Sequence, residues 1–350
     1  MKTLIIGPSW VGDMMMSQSL YRTMKTLNPE IEIDVMAPAW CRALLNKMPE
    51  VSKAISMPIG HGKLALRERY QLGKSLRNDN YDQAIVLPNS LKSALIPFFA
   101  GIPKRTGWKG EQRYGLLNDI RTLDKQAFPL MVERYIALAY PKNSVASAAD
   151  LQKPLLYPKL IVETQDAIKT KSEFNLQDQT SLIGFCPGAE FGPAKRWPDY
   201  HYAKLADMLV KQGAKIVIFG SNNDKQVGDA IINQMAFPDK CINLAGATSL
   251  QQAVNLIAGC KAVISNDSGL MHIAAALGRP LVALYGPSSP DFTPPLSDQA
   301  VIIRLISGYH KVRRGDSQEG YHQSLIDIKP ECVFEKLMTL LHQPQADLQS

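Results

Sequence analysis

Short runs rich in β-branched residues alternate with helix-length amphipathic stretches from the first residues onward. Residues 3–6 read as a strand; Met16, Leu20, Met24 and Leu27 then recur at helical spacing until Pro29 stops them, and Ile31, Ile33 and Val35 alternate as a second strand. Strand, helix, strand in this order is a βαβ unit, because parallel neighbours need a crossover of about a dozen residues or more. The alternation continues with strands at 54–57 and 83–87 and helices over 64–76 and 90–99. Residues 141–158 break it, being poor in periodic apolar positions and rich in Ser, Ala and Pro, as a linker would be. A second series follows, with strands at 181–186, 215–219, 262–265 and 281–285 and helices over 200–211, 250–258 and 270–277. The pattern predicts a parallel α/β class twice over: two Rossmann-like domains, residues 1–160 and 161–350, facing each other across a cleft. Open α/β sheets bind ligands beyond the carboxyl ends of their strands, so the loops there are the first places to look for chemistry.

Composition narrows the setting. The 350 residues are 45% hydrophobic, enough for two cores. The longest nearly uninterrupted apolar stretch, 94–103, is about half of the ~20 residues a bilayer span needs and contains Pro97 and Gly101. Gly7, Pro8 and Asp13 interrupt the amino-terminal apolar run, which reads as a first strand and not as a signal peptide. Cysteines 41, 186, 241, 260 and 332 are odd in number and include no Cys-x-x-Cys, so a disulfide framework or zinc site is not expected and a reducing cytoplasm is. The histidines are scattered and Glu32-Ile-Asp34 reads as the outward face of a strand, so no metal is expected.

The net charge of +7 sits entirely in the first half: residues 1–150 hold 20 Lys/Arg against 13 Asp/Glu, the remainder 19 against 19. Lys63, Arg67, Arg69, Lys104, Arg105, Lys109 and Arg113 crowd one stretch of it. They are either solvated surface charges or the site of an anionic ligand. Nucleic acid is not indicated, since zinc-finger spacing, RNP-like aromatics and a long basic helix are all missing.

Three segments carry candidate chemistry. Gly7-Pro-Ser9-Trp10-Val-Gly12-Asp13 has the glycine spacing of a phosphate-binding loop, but an aspartate stands where the phosphate-binding lysine belongs. A carboxylate there would repel phosphate, so Asp13 suits a substrate hydroxyl, with Gly12 permitting close approach; it also fits a plain aspartate at a helix start. Residues 187–198 form a loop too long and glycine-rich for a minimal βα turn, in which Lys195 and Arg196 can meet a diphosphate or simply be surface charge. Asn266-Asp267-Ser268-Gly269-Leu270-Met-His272 ends a strand and opens an apolar helix, the place where backbone N–H groups bind anions, although a cap alone would explain Asp267 and Ser268. Residues 286–295 would make a stiff, proline-rich wall beside it. The echoes Gly308-Tyr-His310 and Gly320-Tyr-His322, around Lys311, Arg313 and Arg314, read as cleft lining or as a basic loop.

Together, in this order and spacing, the segments at 7–16, 187–198 and 266–272 resemble the bacterial heptosyltransferases of glycosyltransferase family 9, over nearly the whole chain. The resemblance implies a GT-B fold, with the last helix free to pack back on the first domain. It implies an ADP-heptose donor held by the second domain, and an acceptor, the first heptose of the inner core on Kdo2-lipid A, held by the first. Transfer would proceed with inversion and without metal or other cofactor. Asp13 takes the place of the base and Lys195 that of the phosphate-binding lysine. Gly188, Arg196, Asn266, Asp267, Ser268, Gly269, Leu270 and His272 would line the donor site, with Asp224 as the acidic group toward sugar or ribose. Ser9, Trp10, Gly12 and the seven basic residues would meet the acceptor, whose carboxylates and phosphates give that charge a reason. A monomer in peripheral contact with the cytoplasmic face of the inner membrane is expected. Two other activities share the architecture or the charge: a nucleotide-sugar 2-epimerase and a non-catalytic binder of anionic glycolipid.

Overall fold

The computed structural model describes residues 1–60, 62–177, 181–189, 192–308, 312 and 315–342. The chain divides into two compact units, residues 1–161 with 291–293, and 162–290 with 294–350.

The first unit runs β1 (Lys2–Ile6), α1 (Val11–Leu27), β2 (Glu32–Pro38), α2 (Arg42–Leu45), β3 (Lys53–Met57), α3 (Leu66–Ser75), β4 (Gln83–Val86), α4 (Leu95–Phe99), β5 (Lys104–Trp108), β6 (Asp119–Arg121) and α5 (Met131–Ile136). The strands are all parallel, in the order β3-β2-β1-β4-β5-β6. β1 lies at the centre, and Leu4, Ile5 and Ile6 are buried on both faces. Helix α1 is buried nearly all round, packing on α5, which explains three consecutive methionines at 14–16: their flexible side chains fill uneven gaps, each worth about 1.5–3 kcal/mol when buried. The helix expected over 90–99 begins instead as a 3-10 turn at Leu91–Ala94, and α4 starts at Leu95. Pro97 is thereby placed in a first turn, where its missing N–H costs nothing.

Asp34 corrects one expectation. It does not face solvent but lies buried, accepting a hydrogen bond from the Tyr81 hydroxyl at 2.6 Å with Lys2 Nζ 3.8 Å away; only Glu32 of that pair is exposed. The segment before the unit boundary is fastened down, since Gln18 donates to the Lys159 carbonyl and accepts from its N–H, Arg22 donates to the Tyr157 carbonyl, and Ile161 N–H donates to Lys47. Residues 291–293 join the same unit: Met131 N–H donates to Phe292, and the Arg134 guanidinium lies 4.6 Å from the Phe292 ring centre.

The second unit contains α6 (Thr164–Glu173), β7 (Leu182–Cys186), α7 (Asp199–Val210), β8 (Lys215–Ile218), α8 (Lys225–Asn233), β9 (Cys241–Asn243), α9 (Leu250–Ala258), β10 (Ala262–Asn266), α10 (Gly269–Ala276), β11 (Leu281–Leu284), β12 (Ala300–Ile303), α11 (Gln323–Ile326) and α12 (Pro330–His342). Its parallel sheet has the order β12-β11-β10-β7-β8-β9. Counted from its own first strand, that is the order of the first unit. Both reverse direction beside their first strand, between β1 and β4 and between β7 and β10, and at such a switch point the outgoing loops diverge and leave a crevice. Helix α12 packs on α7 and on β11 and β12, inserting Val333 and Leu337 into the core around Ile216, Phe185 and Trp197. Among the described residues no helix is long and apolar enough to cross a membrane.

Candidate functional sites

At the first switch point the chain leaves β1 through Gly7, whose N–H donates to the Met36 carbonyl at 2.8 Å. A Cβ on Gly7 would stand 2.9 Å from the Met14 methyl and 3.3 Å from that carbonyl, so a side chain here would displace the methyl and press on the loop's seat against β2. Trp10 is the N-cap of α1, accepting from Met14 N–H through its carbonyl, which puts Asp13 in the first turn. The helix dipole favours a negative charge there, yet desolvation prevails and pushes the Asp13 carboxyl up to about 6. No hydrogen bond or ion pair among the described residues reaches this carboxylate. It is a base close to neutrality with its lone pairs unused, unlike a capping aspartate.

A cavity of about 420 Å³ opens at the carboxyl ends of β1 to β4, and neither Asp13 nor Gly12 is among the residues that line it. Ser9 and Trp10, both expected in the acceptor site, line it, and so does Arg69. Trp40, Met57, Lys92 and Ser93 line it as well and were not foreseen, although all lie at or after strand ends, which is the signal that could have found them.

The seven basic residues do not form one solvated patch. Lys63, Arg67, Lys104 and Lys109 are exposed. Arg113, only 1% exposed, spends its guanidinium on the Pro88 and Trp108 carbonyls (2.6 and 2.5 Å) and on Asn89 Oδ1, so it pins the segment after β4 instead of meeting an acceptor. Arg105 is half-buried and donates to the Leu116 and Ile102 carbonyls. Arg69 is also buried and donates to Leu64 and Lys63, bracing the entry to α3 from the cavity wall. Burial pushes the pKa of all three guanidinium groups down from the usual value.

The second switch point is built from polar pairs. After β7 the loop passes Gly188, makes a 3-10 turn at Pro193–Lys195 and reaches Trp197, whose ring is fully buried and whose Nε1 donates to the Ile328 carbonyl at 2.8 Å. Glu190 and Phe191 lie outside the described residues. Lys195 Nζ stands 3.5 Å from Asp267 Oδ2, and Arg196 Nη2 stands 3.8 Å from Asp224 Oδ1. The Asp224 carboxylate occupies a slot between two glycines, since a Cβ on Gly188 would come within 2.6 Å of it and one on Gly220 within 2.7 Å of its Cβ. Its other oxygen accepts from Ser221 N–H and Oγ, closing the turn into α8. Asp267, Ser268, Gly269 and Leu270 are half-buried around the start of α10, whose N-cap is Ser268.

Two of the expected donor ligands are turned inward. Asn266 is fully buried and its amide is spent inside the protein. His272 is 7% exposed, and desolvation pushes its imidazole down to about 4, so it is neutral near pH 7 and supplies no positive charge to a phosphate. Tyr309, His310, Lys311, Arg313 and Arg314 lie outside the described residues. Of the echo at 320–322, Tyr321 packs edge-on against Tyr200, and His322 Nδ1 caps α11 by accepting from Ser324 N–H. Among the described residues, no three His, Cys, Asp or Glu side chains come together as a metal site.

Two α/β units with glycine-rich switch-point loops, one offering a base and the other paired cations at a helix start, are the parts of a sugar-nucleotide transferase. Residues 69–322 match glycosyltransferase family 9 (heptosyltransferase). The chain belongs to that family; it is a glycosyltransferase with the GT-B fold, and the group it moves is a heptosyl residue. It is 64% identical over 348 residues to lipopolysaccharide heptosyltransferase 2 of Escherichia coli (strain K12), covering 99% of this chain and 100% of that protein. To lipooligosaccharide heptosyltransferase 2 of Haemophilus influenzae it is 60% identical, covering 97% and 99%. In three dimensions it is similar to the solved structure of E. coli ADP-heptose lps heptosyltransferase II, with TM-score 0.91 at 60% identity and coverage of 99% and 100%.

Proposed function

We propose that this chain works in lipopolysaccharide core biosynthesis, transferring L-glycero-D-manno-heptose from ADP-heptose to the first heptose of the inner core on Kdo2-lipid A. The near full-length identity to lipopolysaccharide heptosyltransferase 2 supports the substrates. The observation that carries the chemistry is Asp13, a carboxylate without a partner among the described residues and with its pKa raised to about 6, on the first turn of α1. At pH 7 it is mostly ionised and still a better base than an ordinary aspartate.

The transfer is a single displacement with inversion. The acceptor oxygen forms its bond to the anomeric carbon while the bond from that carbon to the ADP oxygen breaks, and the hydroxyl proton passes to Asp13. Negative charge grows on the departing diphosphate. Lys195 as a point charge, Arg196 as a fork and the N–H groups at the start of α10 meet that charge, so the reaction needs no metal and its rate is unchanged by excess EDTA. Asp224 or Asp267 takes a sugar or ribose hydroxyl. The acceptor's sugars enter the cavity lined by Trp10 and Trp40, with Arg69 and Lys92 toward its carboxylates and phosphates. The protein acts as a monomer at the cytoplasmic face of the inner membrane.

Mass spectrometry of purified heptosyl-Kdo2-lipid A incubated with ADP-heptose and the protein tests this. The expected product is heavier by one heptose. Conversion of the donor without acceptor indicates an epimerase instead, and unchanged donor and acceptor indicate a binder.

A further inference from the structure

Asn266 is the last residue of β10, fully buried, one position before the carboxylate that pairs with Lys195. Its Nδ2 donates to the Pro187 carbonyl at 2.7 Å, and its Oδ1 accepts from Trp197 N–H at 3.1 Å and from the Tyr202 hydroxyl at 3.3 Å. Pro187 and Trp197 are the two ends of the loop that carries Lys195 and Arg196. One amide therefore clasps both ends of that loop onto the strand across the switch point, with Lys195 two residues and Arg196 one residue ahead of the clasped N–H.

The neighbours show why an amide is needed. Pro187 presents an acceptor and Trp197 a donor, and only a group that donates on one side and accepts on the other satisfies both in a buried place, where an unmet polar group costs about 1–3 kcal/mol. The Trp197 ring, edge-on to Tyr202 at 4.8 Å and bonded to Ile328, fixes the loop's end from the other side. Stabilising a departing diphosphate depends on cations that are in place before charge develops, and anchoring the loop at both ends provides that.

We propose that Asn266 is a positioning residue for the reaction: it touches neither substrate and acts by holding Lys195 and Arg196 where the diphosphate arrives. This rests on the reading of those two cations as diphosphate ligands. The test is a double-mutant cycle in the full-length protein with Asn266→Ser and Lys195→Ala, using calorimetric ADP affinity, kcat and melting temperature, together with hydrogen exchange at the Trp197 amide. The Asn266→Ser change should speed Trp197 exchange at least tenfold, weaken ADP binding about tenfold and lower kcat about tenfold. In the Lys195→Ala background it should weaken ADP binding by only about threefold, because the share that acts through that lysine is gone and the share through Arg196 remains. Tyr202→Phe, which deletes one bond and keeps the clasp, should change ADP affinity less than threefold and provides a folded comparator.

Unchanged ADP affinity in folded Asn266→Ser with faster Trp197 exchange overturns the proposal, leaving a residue that serves stability alone. Equal effects of Asn266→Ser with and without Lys195 overturn it too. Should Asn266→Ser not fold, Asn266→Asp, which keeps the acceptor and loses the donor to Pro187, must show the same coupling. An unchanged ADP affinity in Lys195→Ala alone refutes the diphosphate reading instead, and faster Trp197 exchange in Asn266→Ser then still marks the clasp.

Discussion

The two units share one strand order and put opposite chemistry at the same place in it. In the first, the loops after β1 and β4 frame a largely apolar cavity, and the carboxylate on the first turn of α1 has neither cation nor hydrogen-bond donor among the described residues, so desolvation governs its proton. In the second, the loops after β7 and β10 carry two cations, each within 4 Å of a carboxylate. Topology supplies the crevice; the side chains decide whether it stores a base or meets an anion. On the proposed reading, the base is kept from partners and stays reactive, whereas the cations that would receive the diphosphate are held by carboxylates until it arrives.

Removing the base breaks this contrast most severely. Asp13→Asn keeps the shape and should lower kcat by about 10²–10⁴ while ADP affinity stays within twofold, as steady-state kinetics and calorimetry would show. In the parent enzyme the rate should fall as pH drops below about 6, the pKa to which Asp13 is raised, and the variant should lack that limb. Retention of a third of the parent kcat would reduce Asp13 to a helix-terminal residue. Stability should move the other way. The folded pKa is above the unfolded one, so the ionised form is penalised above about pH 6 and the penalty is absent below 3.8. Because the side chain is partly exposed, Asp13→Asn should gain about 1–2 kcal/mol at pH 8 and nothing at pH 3.5, measured by denaturant titration.

On the other side of the comparison, Lys195→Ala should weaken ADP binding and also slow turnover, together by about a hundredfold in kcat/KM, since its charge matters more as the leaving group develops. Calorimetry giving the parent dissociation constant would exclude the placement. Gly188→Ala tests the slot. The new Cβ cannot coexist with the Asp224 carboxylate at 2.6 Å, so the carboxylate moves and Arg196 loses its partner. ADP affinity should fall about tenfold, and a second change, Asp224→Ala, should relieve the clash and recover most of the melting temperature lost.

Strands buried on both faces were legible because nothing but continuous apolar residues fits between helices: β1, β7, β10 and β11 follow directly from their side chains. β5 and β6 were not. Lys104, Arg105, Asp119 and Arg121 give them the look of a charged loop, and only in the fold does Thr106 on β5 donate across to Asp119 on β6, 13 residues away, which also accepts from Arg121 of its own strand. The glycine loops were legible as sites because a strand followed by glycines and a helix start has few other uses. What sequence does not reveal is which way a polar side chain turns. Asn266 and Arg113 look like ligands along the chain, and both prove to be fasteners, since the carbonyls they hold come from residues up to 79 positions away. The burial of His272 escapes sequence for the same reason, being set by tertiary packing.

That division between fasteners and free charges leads to the smallest effect. Only Lys63, Arg67, Lys104 and Lys109 of the seven basic residues are exposed, so only they can draw an acidic glycolipid from a membrane surface. A basic residue near an anionic surface contributes ~1 kcal/mol, and Lys63→Glu, Arg67→Glu and Lys109→Glu combined should raise acceptor KM about tenfold in 0.01 M salt. At 0.15 M the Debye length shortens from ~30 to ~8 Å, and the penalty should shrink to about two- to threefold. ADP affinity and melting temperature should both hold, because these side chains fasten nothing. Arg113→Glu gives the opposite signature: a buried carboxylate facing the Pro88 and Trp108 carbonyls should lower the melting temperature steeply at either salt concentration. If the triple variant matches the parent acceptor KM in both buffers, the exposed charges are merely solvated, and capture of the acceptor falls to the cavity residues, with Lys92 as the group to reverse next.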